Sequence, residues 1–281
     1  MINSNEVFTS KLTIPQFKKL GAFIHSNYGI QMPDSKKVLL EGRLQKRIKI
    51  NKLNNFAEYI DFLFSNAGQA REIQYFIDAV STNKTDFYRE PHHFDFLRDN
   101  FLPEFSKNNR HLKIWSAAAS SGEEPYTIAI ELREFIEKNV GFSYEMLGTD
   151  ISTEILQKAS KGIYAEKRID VIPLHIKRKY FLRSKNKKRR TVKVTPILQK
   201  NLRYRTINLT VPLVGIPNDF DLVFCRNVLI YFNREVQEKV INAICGKLKP
   251  GGYLFLGHSE STTGIKAPVT QVAPTIYRHT P

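Results

Sequence analysis

From residue 10 to about residue 80, apolar positions recur at helical spacing and no alternating run interrupts them. Ile14, Phe17, Leu20, Phe23 and Ile24 form one face of a first helix. The pattern predicts a second helix over Ser35 to Lys49, with Val38, Leu39, Leu44 and Ile48 apolar. A third is expected over Phe56 to Phe64 and a fourth over Gln69 to Val80, making a small helical bundle without strands. A polar loop, Ser81 to Glu90, leaves this bundle. Beyond it a helix from His92 to Phe101 is followed by short apolar runs that alternate with amphipathic stretches, the layout of an α/β domain. The expected organisation is a helical domain over 1–80, a loop over 81–90 and an α/β domain over 91–281.

The first strand of that domain leads into Ile114-Trp115-Ser116-Ala117-Ala118-Ala119-Ser120-Ser121-Gly122-Glu123-Glu124-Pro125-Tyr126. Pro125 suits a first helical turn, where its missing N–H costs nothing. Small side chains from Ala117 to Gly122 let a ligand lie against the backbone. Acids at the turn would repel a phosphate and suit a cationic or hydroxyl-bearing ligand, and S-adenosylmethionine has that chemistry. Read alone, the segment is equally an ordinary strand–turn–helix corner. The next strand, from Tyr144, ends at Asp150, with Ser152 or Thr153 opening a helix. An acid there accepts ribose hydroxyls in nucleotide-binding folds, or else is a plain helix cap, a task that Ser152 or Thr153 could take instead. Its distance of about 30 residues from the turn exceeds the usual ~20, which the long helix Tyr126 to Asn139 accounts for.

A buried run, Phe220 to Cys225, carries Arg226, Asn227 and Tyr231 to the carboxyl edge of the sheet, where α/β folds bind ligands. Leu248-Lys249-Pro250-Gly251-Gly252 reads as a helix end and turn before a buried strand reaching Gly257-His258. Between Asp150 and Phe220, Lys179 to Arg183 and Arg190 to Val194 flank a turn at Ser184 to Arg189, a hairpin with a basic tip. Lys185, Lys187, Lys188, Arg189 and Arg190 serve either a partner or the protection of an exposed edge.

Charge and cysteine content narrow the setting. A net charge of +16 over 281 residues predicts an acidic partner: nucleic acid, an anionic membrane surface or an acidic protein. Lys36, Arg43, Lys46 and Arg47 fall on one face of the second helix, either a solvated surface or a dock for an acidic helix. Cys225 and Cys245 are too few for a disulfide scaffold and read as core residues of a reducing, cytoplasmic setting. No stretch is long and apolar enough to span a membrane, and Met1 to Ser10 lacks the apolar region of a signal peptide.

Five blocks in order resemble the chemotaxis receptor methyltransferases, the CheR family: Asn83-Lys84-Thr85-Asp86-Phe87-Tyr88-Arg89-Glu90, Trp115 to Tyr126, Thr149-Asp150-Ile151, Phe224 to Phe232, and Gly257-His258-Ser259-Glu260. The resemblance runs from about Phe17 to His258. Tyr88 stands where a second Phe is usual, and Lys84 and Asp86 stand at positions that vary. The resemblance implies a class I S-adenosylmethionine-dependent methyltransferase (Rossmann-like) α/β fold, with an N-terminal all-α domain and a small antiparallel β-subdomain inserted at about 176–200. It implies O-methylation of glutamates on the cytoplasmic helices of chemoreceptors, giving methyl esters and S-adenosyl-L-homocysteine. In some members the β-subdomain binds a receptor C-terminal peptide by adding a strand.

The implied catalytic residues are Arg89, orienting a carboxylate, and Tyr231. Asn83, Thr85, Arg89, Ala117, Glu124, Asp150, Asn208, Leu209, Arg226 and Asn227 are the implied cofactor residues. Within that set Asp150 takes the ribose, Asn83 and Thr85 the amino-acid end, Glu124 the ammonium or the shape of its pocket, and Asn208 the adenine. Lys36, Arg43, Lys46 and Arg47 are the implied dock for a glutamate-bearing receptor helix. No metal is expected, since methyl transfer needs none and His92, His93 and His258 have no ligand spacing. Two rivals stand beside this reading. A nucleic-acid methyltransferase fits the charge, but Cys225-Arg226-Asn227-Val228-Leu229 lacks the proline pair of amino-N enzymes. The other is a non-catalytic receptor adaptor that senses S-adenosylmethionine.

Overall fold

The computed structural model describes residues 10–281, which fall into two units, one ending at Thr82 and one running from Asn83 to Pro281. The polar stretch before Ser10 lies outside the described residues.

In the first unit, helix α1 (Ile14–Tyr28) opens on a capping box in which Thr13 and Gln16 satisfy each other's backbone N–H groups. Phe17, Leu20 and Ile24 are buried as the pattern predicts, while Ile14 lies exposed at the helix start. In α2 (Lys37–Ile50) the buried stripe is Leu40, Leu44 and Ile48. Val38 and Leu39 face outward instead, Val38 being 76% exposed, because the i, i+4 ladder is set by Leu40. Helix α3 (Phe56–Phe64) has the expected bounds and is capped by Asn55.

The predicted fourth helix is two helices, α4 (Asn66–Arg71) and α5 (Ile73–Val80). The break falls at Glu72, whose side chain is 2% exposed. Its carboxylate accepts from Arg47 Nε at 2.8 Å and Nη2 at 2.7 Å, and from the Tyr59 hydroxyl at 2.9 Å. A buried carboxylate stands only when paired in this way. The expectation that Arg43 and Arg47 belong to an exposed cationic face is therefore corrected. The Arg47 side chain is 14% exposed and turned onto Glu72. Arg43 donates to the carbonyls of Val80 and Ser81. Lys36 reaches the Gln31 carbonyl at 3.2 Å, and Lys46 is exposed. Arg47→Ala should cost about 2 kcal/mol, since Tyr59 still donates to the stranded Glu72. Denaturant unfolding checks this, and an unchanged midpoint would contradict it.

In the second unit, strands β1 (His111–Ser116), β2 (Ser143–Asp150), β3 (Ile163–Ala165), β4 (Phe181–Arg183), β5 (Thr191–Val194), β6 (Leu202–Thr206), β7 (Phe220–Cys225), β8 (Leu248–Leu256), β9 (Val269–Ala273) and β10 (Ile276–His279) follow in chain order. The main sheet has the order β6-β2-β1-β7-β8-β10-β9, in which every pairing is parallel except the two made by β10. β7 is buried along its whole length, as a central parallel strand covered on both faces must be. The chain builds outward from β1 through β2 to β6, then returns beside β1 with β7. That reversal opens a crevice at the carboxyl ends of β1 and β7, where such sheets bind ligands.

The Lys-Pro-Gly-Gly turn lies inside β8. Phe220 pairs with Leu248 and Leu222 with Tyr253, so the intervening residues bulge out of the ladder. The expected hairpin is present as β4 and β5, and β3 joins it in a separate sheet of order β3-β5-β4. Among the described residues no helix is long and apolar enough to cross a membrane.

Candidate active site

At the end of β1 the small residues let the chain turn sharply over β2. Ala117 N–H donates to the Phe224 carbonyl at 2.7 Å and Ala119 N–H to the Thr149 carbonyl at 2.8 Å. Gly122 closes the turn in the left-handed region (φ 97°), where a Cβ would stand 2.8 Å from the Tyr164 hydroxyl. Helix Glu123–Lys138 follows. Asp150, 9% exposed, accepts from the Ser120 N–H at 2.9 Å and the Ser152 N–H at 3.0 Å. The Ser120 hydroxyl donates to the Asn83 carbonyl at 3.0 Å. The turn, Asp150 and the loop carrying Asn83 are thus one hydrogen-bonded assembly. The Ile207 N–H donates to the Asp150 carbonyl at 2.9 Å, which brings Asn208 and the buried Leu209 to the same edge. Asn208 Oδ1 accepts from the Thr210 N–H at 3.0 Å, a local turn.

Arg226, at the end of β7, is the second centre. Its buried guanidinium donates to Glu124 at 3.1 Å, to Glu90 at 3.0 Å and to the Arg89 carbonyl, and lies 5.4 Å from the Phe94 ring centre. Among the described residues its Nε has no hydrogen-bond partner. Glu124 also accepts from the Ser116 hydroxyl at 2.7 Å. Burial pushes the Glu124 carboxyl up, against the pull of Arg226. Burial acts the same way on Glu90, but Arg226, the Asn227 amide and the His258 N–H outweigh it and hold Glu90 down at about 2.

Asn227, at φ 58°, donates its amide to Glu90 at 3.1 Å. Its N–H goes to Glu260 at 2.8 Å, joined there by the N–H groups of Val228 at 2.9 Å, Leu229 at 2.7 Å and Gly257 at 2.5 Å. A Cβ at Gly257 would fall 2.5 Å from the Asn227 amide nitrogen, so glycine is required there. Tyr231 ends the 3-10 turn Leu229–Tyr231 that begins at this Glu260 cap. The Arg89 side chain donates to the Lys84 carbonyl at 2.9 Å. Arg168 fastens the same loop, donating to Asp86 at 2.6 Å and to the Thr85 carbonyl and Glu123 at 2.5 Å.

Asn83, Thr85, Arg89, Ala117, Glu124, Asp150, Asn208, Leu209, Arg226, Asn227 and Tyr231 all lie in the second unit. Lys36, Arg43, Lys46 and Arg47 lie in the first. Glu90, Glu260 and Arg168, to which the sequence motifs assign no role, bind this site together. Glu90 and Glu260 each close a recognisable motif block, which was the available signal.

The profile of the CheR methyltransferase SAM binding domain matches residues 83–277, and that of the CheR methyltransferase all-alpha domain matches residues 15–81. This chain belongs to the CheR methyltransferase family. A chemotaxis protein methyltransferase of Borreliella burgdorferi is 39% identical, over 95% of each chain. Those of Salmonella typhimurium and Escherichia coli are each 34% identical, over 95% of this chain and 90% and 91% of theirs. As a CheR methyltransferase the chain uses S-adenosylmethionine, and its residues fit that molecule. An acid at the end of β2 has the chemistry to accept from hydroxyls, the small-residue turn leaves room against the backbone, and among the described residues the buried Arg226 Nε has no acceptor. Among the described residues no group of three or more His, Cys, Asp or Glu is placed to hold a metal ion.

His93 is fully buried, with Nε2 2.8 Å from the Thr275 hydroxyl. Burial, then the charge of Arg226, drives it down to about 3. Its folded value thus lies below the unfolded value of about 6.5. Between the two, the unfolded chain binds the extra proton, so stability is full above the unfolded value and falls as pH falls. From about pH 7 to pH 5 the loss should reach about 2 kcal/mol. His93→Gln should remove that slope in melts across pH, and equal slopes in both proteins would contradict it.

Proposed function

We propose that the chain transfers the methyl group of S-adenosylmethionine to glutamate side chains on the cytoplasmic helices of methyl-accepting chemotaxis receptors, giving methyl esters. The observation that carries this reading is the contrast between two neighbouring arginines. Arg226 is neutralised by Glu90 and Glu124. The Arg89 guanidinium has a backbone carbonyl as its contact and no carboxylate within ion-pair distance among the described residues. Its charge is available for an incoming carboxylate, which a guanidinium binds through two parallel hydrogen bonds.

When bound, S-adenosylmethionine supplies a methyl group on a positively charged sulfur. A glutamate carboxylate, with a reference pKa of ~4.3, is already ionised at neutral pH, so the site needs no general base. The work of the residues is placement and exclusion of water. Asp150, a carboxylate that accepts at both oxygens, takes the ribose hydroxyls. Asn83 and Thr85 hold the amino-acid end, beside Arg89, Ala117 leaves room beside the backbone, and Asn208 and Leu209 border the adenine. Arg226 and Asn227 complete the cradle. Glu124 shapes it, because its carboxylate is engaged by Ser116 and Arg226. Tyr231 borders the substrate carboxylate.

On α2, with Arg43 and Arg47 turned inward, docking of an acidic receptor helix falls to Lys46 and its exposed neighbour Lys49. A receptor C-terminal peptide suits β4, an edge strand bearing the exposed Leu182 beside a cavity of about 460 Å³ lined by Ile169, Leu174, Phe181 and Arg183. Adding that peptide should slow amide exchange along β4, and unchanged exchange would remove this dock.

The decisive assay offers methyl-labelled S-adenosylmethionine with a receptor cytoplasmic fragment, with RNA, or alone. Base-labile label on the receptor fragment is expected. Label on RNA would support a nucleic-acid methyltransferase. Cofactor binding without transfer would support a sensing adaptor in a cytoplasmic receptor complex.

A further inference from the structure

Glu90 lies between three segments of the second unit. Its backbone is left-handed, at φ 59°, a conformation that residues with side chains adopt only under outside support. One carboxylate oxygen lies 3.0 Å from Arg226 Nη2 and the other 3.1 Å from Asn227 Nδ2. The backbone N–H of His258 acts on this carboxylate as well, helping to hold it ionised. The end of β7, the segment after β8 and the loop beginning at Asn83 therefore meet on one side chain, which is only 12% exposed. Arg226 Nη2 donates in addition to the carbonyl of Arg89, so the residue that Glu90 grips in turn holds the backbone of the proposed catalytic arginine.

We propose that Glu90 is a positioning residue for methyl transfer, holding Arg226 and Asn227 where they meet the cofactor and fixing the backbone of Arg89 through Arg226. The proposal rests on the reading that Arg226 and Asn227 belong to the cofactor site. Glu124 does not replace Glu90, because it takes the other terminal nitrogen of Arg226 and does not bond Asn227. Asn227 itself sits at φ 58°. Its backbone N–H is held by Glu260, so Glu90 is what fixes the amide end of the side chain.

The test uses the full chain, S-adenosylmethionine and a receptor cytoplasmic fragment. Glu90→Gln keeps the shape, removes the charge and turns one acceptor into a donor facing another donor. It should lower kcat/KM for S-adenosylmethionine about tenfold to a hundredfold, the scale of a small misplacement of reacting groups. Asn227→Ala should weaken cofactor binding in calorimetry. In the Asn227→Ala background, Glu90→Gln should cost at least about threefold less than in the wild type, because the part of its effect that runs through Asn227 is already gone. A purely structural role would lower the melting temperature and leave that coupling at zero. Equal costs in both backgrounds, or normal kcat/KM in Glu90→Gln, would overturn the proposal. Asn227→Ala with wild-type cofactor affinity would instead overturn the cofactor assignment, and this proposal with it. If Glu90→Gln does not fold, Glu90→Asp, which keeps the charge but withdraws it by one methylene, carries the same readouts.

Discussion

Arg89→Ala is expected to lower methyl transfer to a receptor fragment about a hundredfold to a thousandfold, the cost of removing one preorganised group that meets charge in the transition state. The fold should barely notice. The side chain is half-buried, and its one described hydrogen bond is to the Lys84 carbonyl. The bond to Arg226 is made by the Arg89 backbone, which alanine retains. Steady-state kinetics beside a thermal melt separates the two effects. Near-normal turnover in a folded variant would pass the aligning role to Tyr231. A large fall in melting temperature would instead make Arg89 a structural residue.

Asp150→Ala should weaken binding of S-adenosylmethionine and of S-adenosyl-L-homocysteine alike, by about 3 kcal/mol, the scale of two hydrogen bonds to a charged acceptor. Part of that loss arises before any ligand arrives. The N–H groups of Ser120 and Ser152 both end on this carboxylate, and alanine leaves them without an acceptor, so the turn itself loosens. Asp150→Asn keeps one acceptor oxygen and should fall between alanine and the wild type. Calorimetric affinities equal to wild type in Asp150→Ala would remove Asp150 from the cofactor site.

The features that were legible in the sequence are those that local physics determines. The run Phe220 to Cys225 reads as a buried strand because every position is apolar or small except Asp221, which lies 2.7 Å from Lys249. Ser152 is legible as a cap because its hydroxyl has the Ile155 N–H within reach. The place of Asp150 is legible because the strand pattern from Tyr144 stops at it, just before that cap. What escaped depends on partners far away in the chain. Nothing local in Gln69 to Val80 marks Glu72 as a helix break, since the cause is Arg47, 25 residues earlier. The same distance hid the inward turn of Arg47 and Arg43, which in sequence are simply cations on a helix face. The partners of Arg226 were illegible for a related reason. Glu90 precedes it by 136 residues and Glu124 by 102, and only the closed sheet brings either acid to it. Val38 and Leu39 misled because they are apolar, although the ladder set by Leu40 leaves them outside.

Whether this site esterifies glutamate is read by mass spectrometry of a receptor cytoplasmic fragment after incubation with the enzyme and S-adenosylmethionine. Peptides heavier by one methyl group are expected, with the modification on glutamate, lost on mild alkaline treatment and strongly reduced when Arg89→Ala replaces the wild type. A methyl group that survives alkali, or that maps to lysine or any other nitrogen, would contradict it.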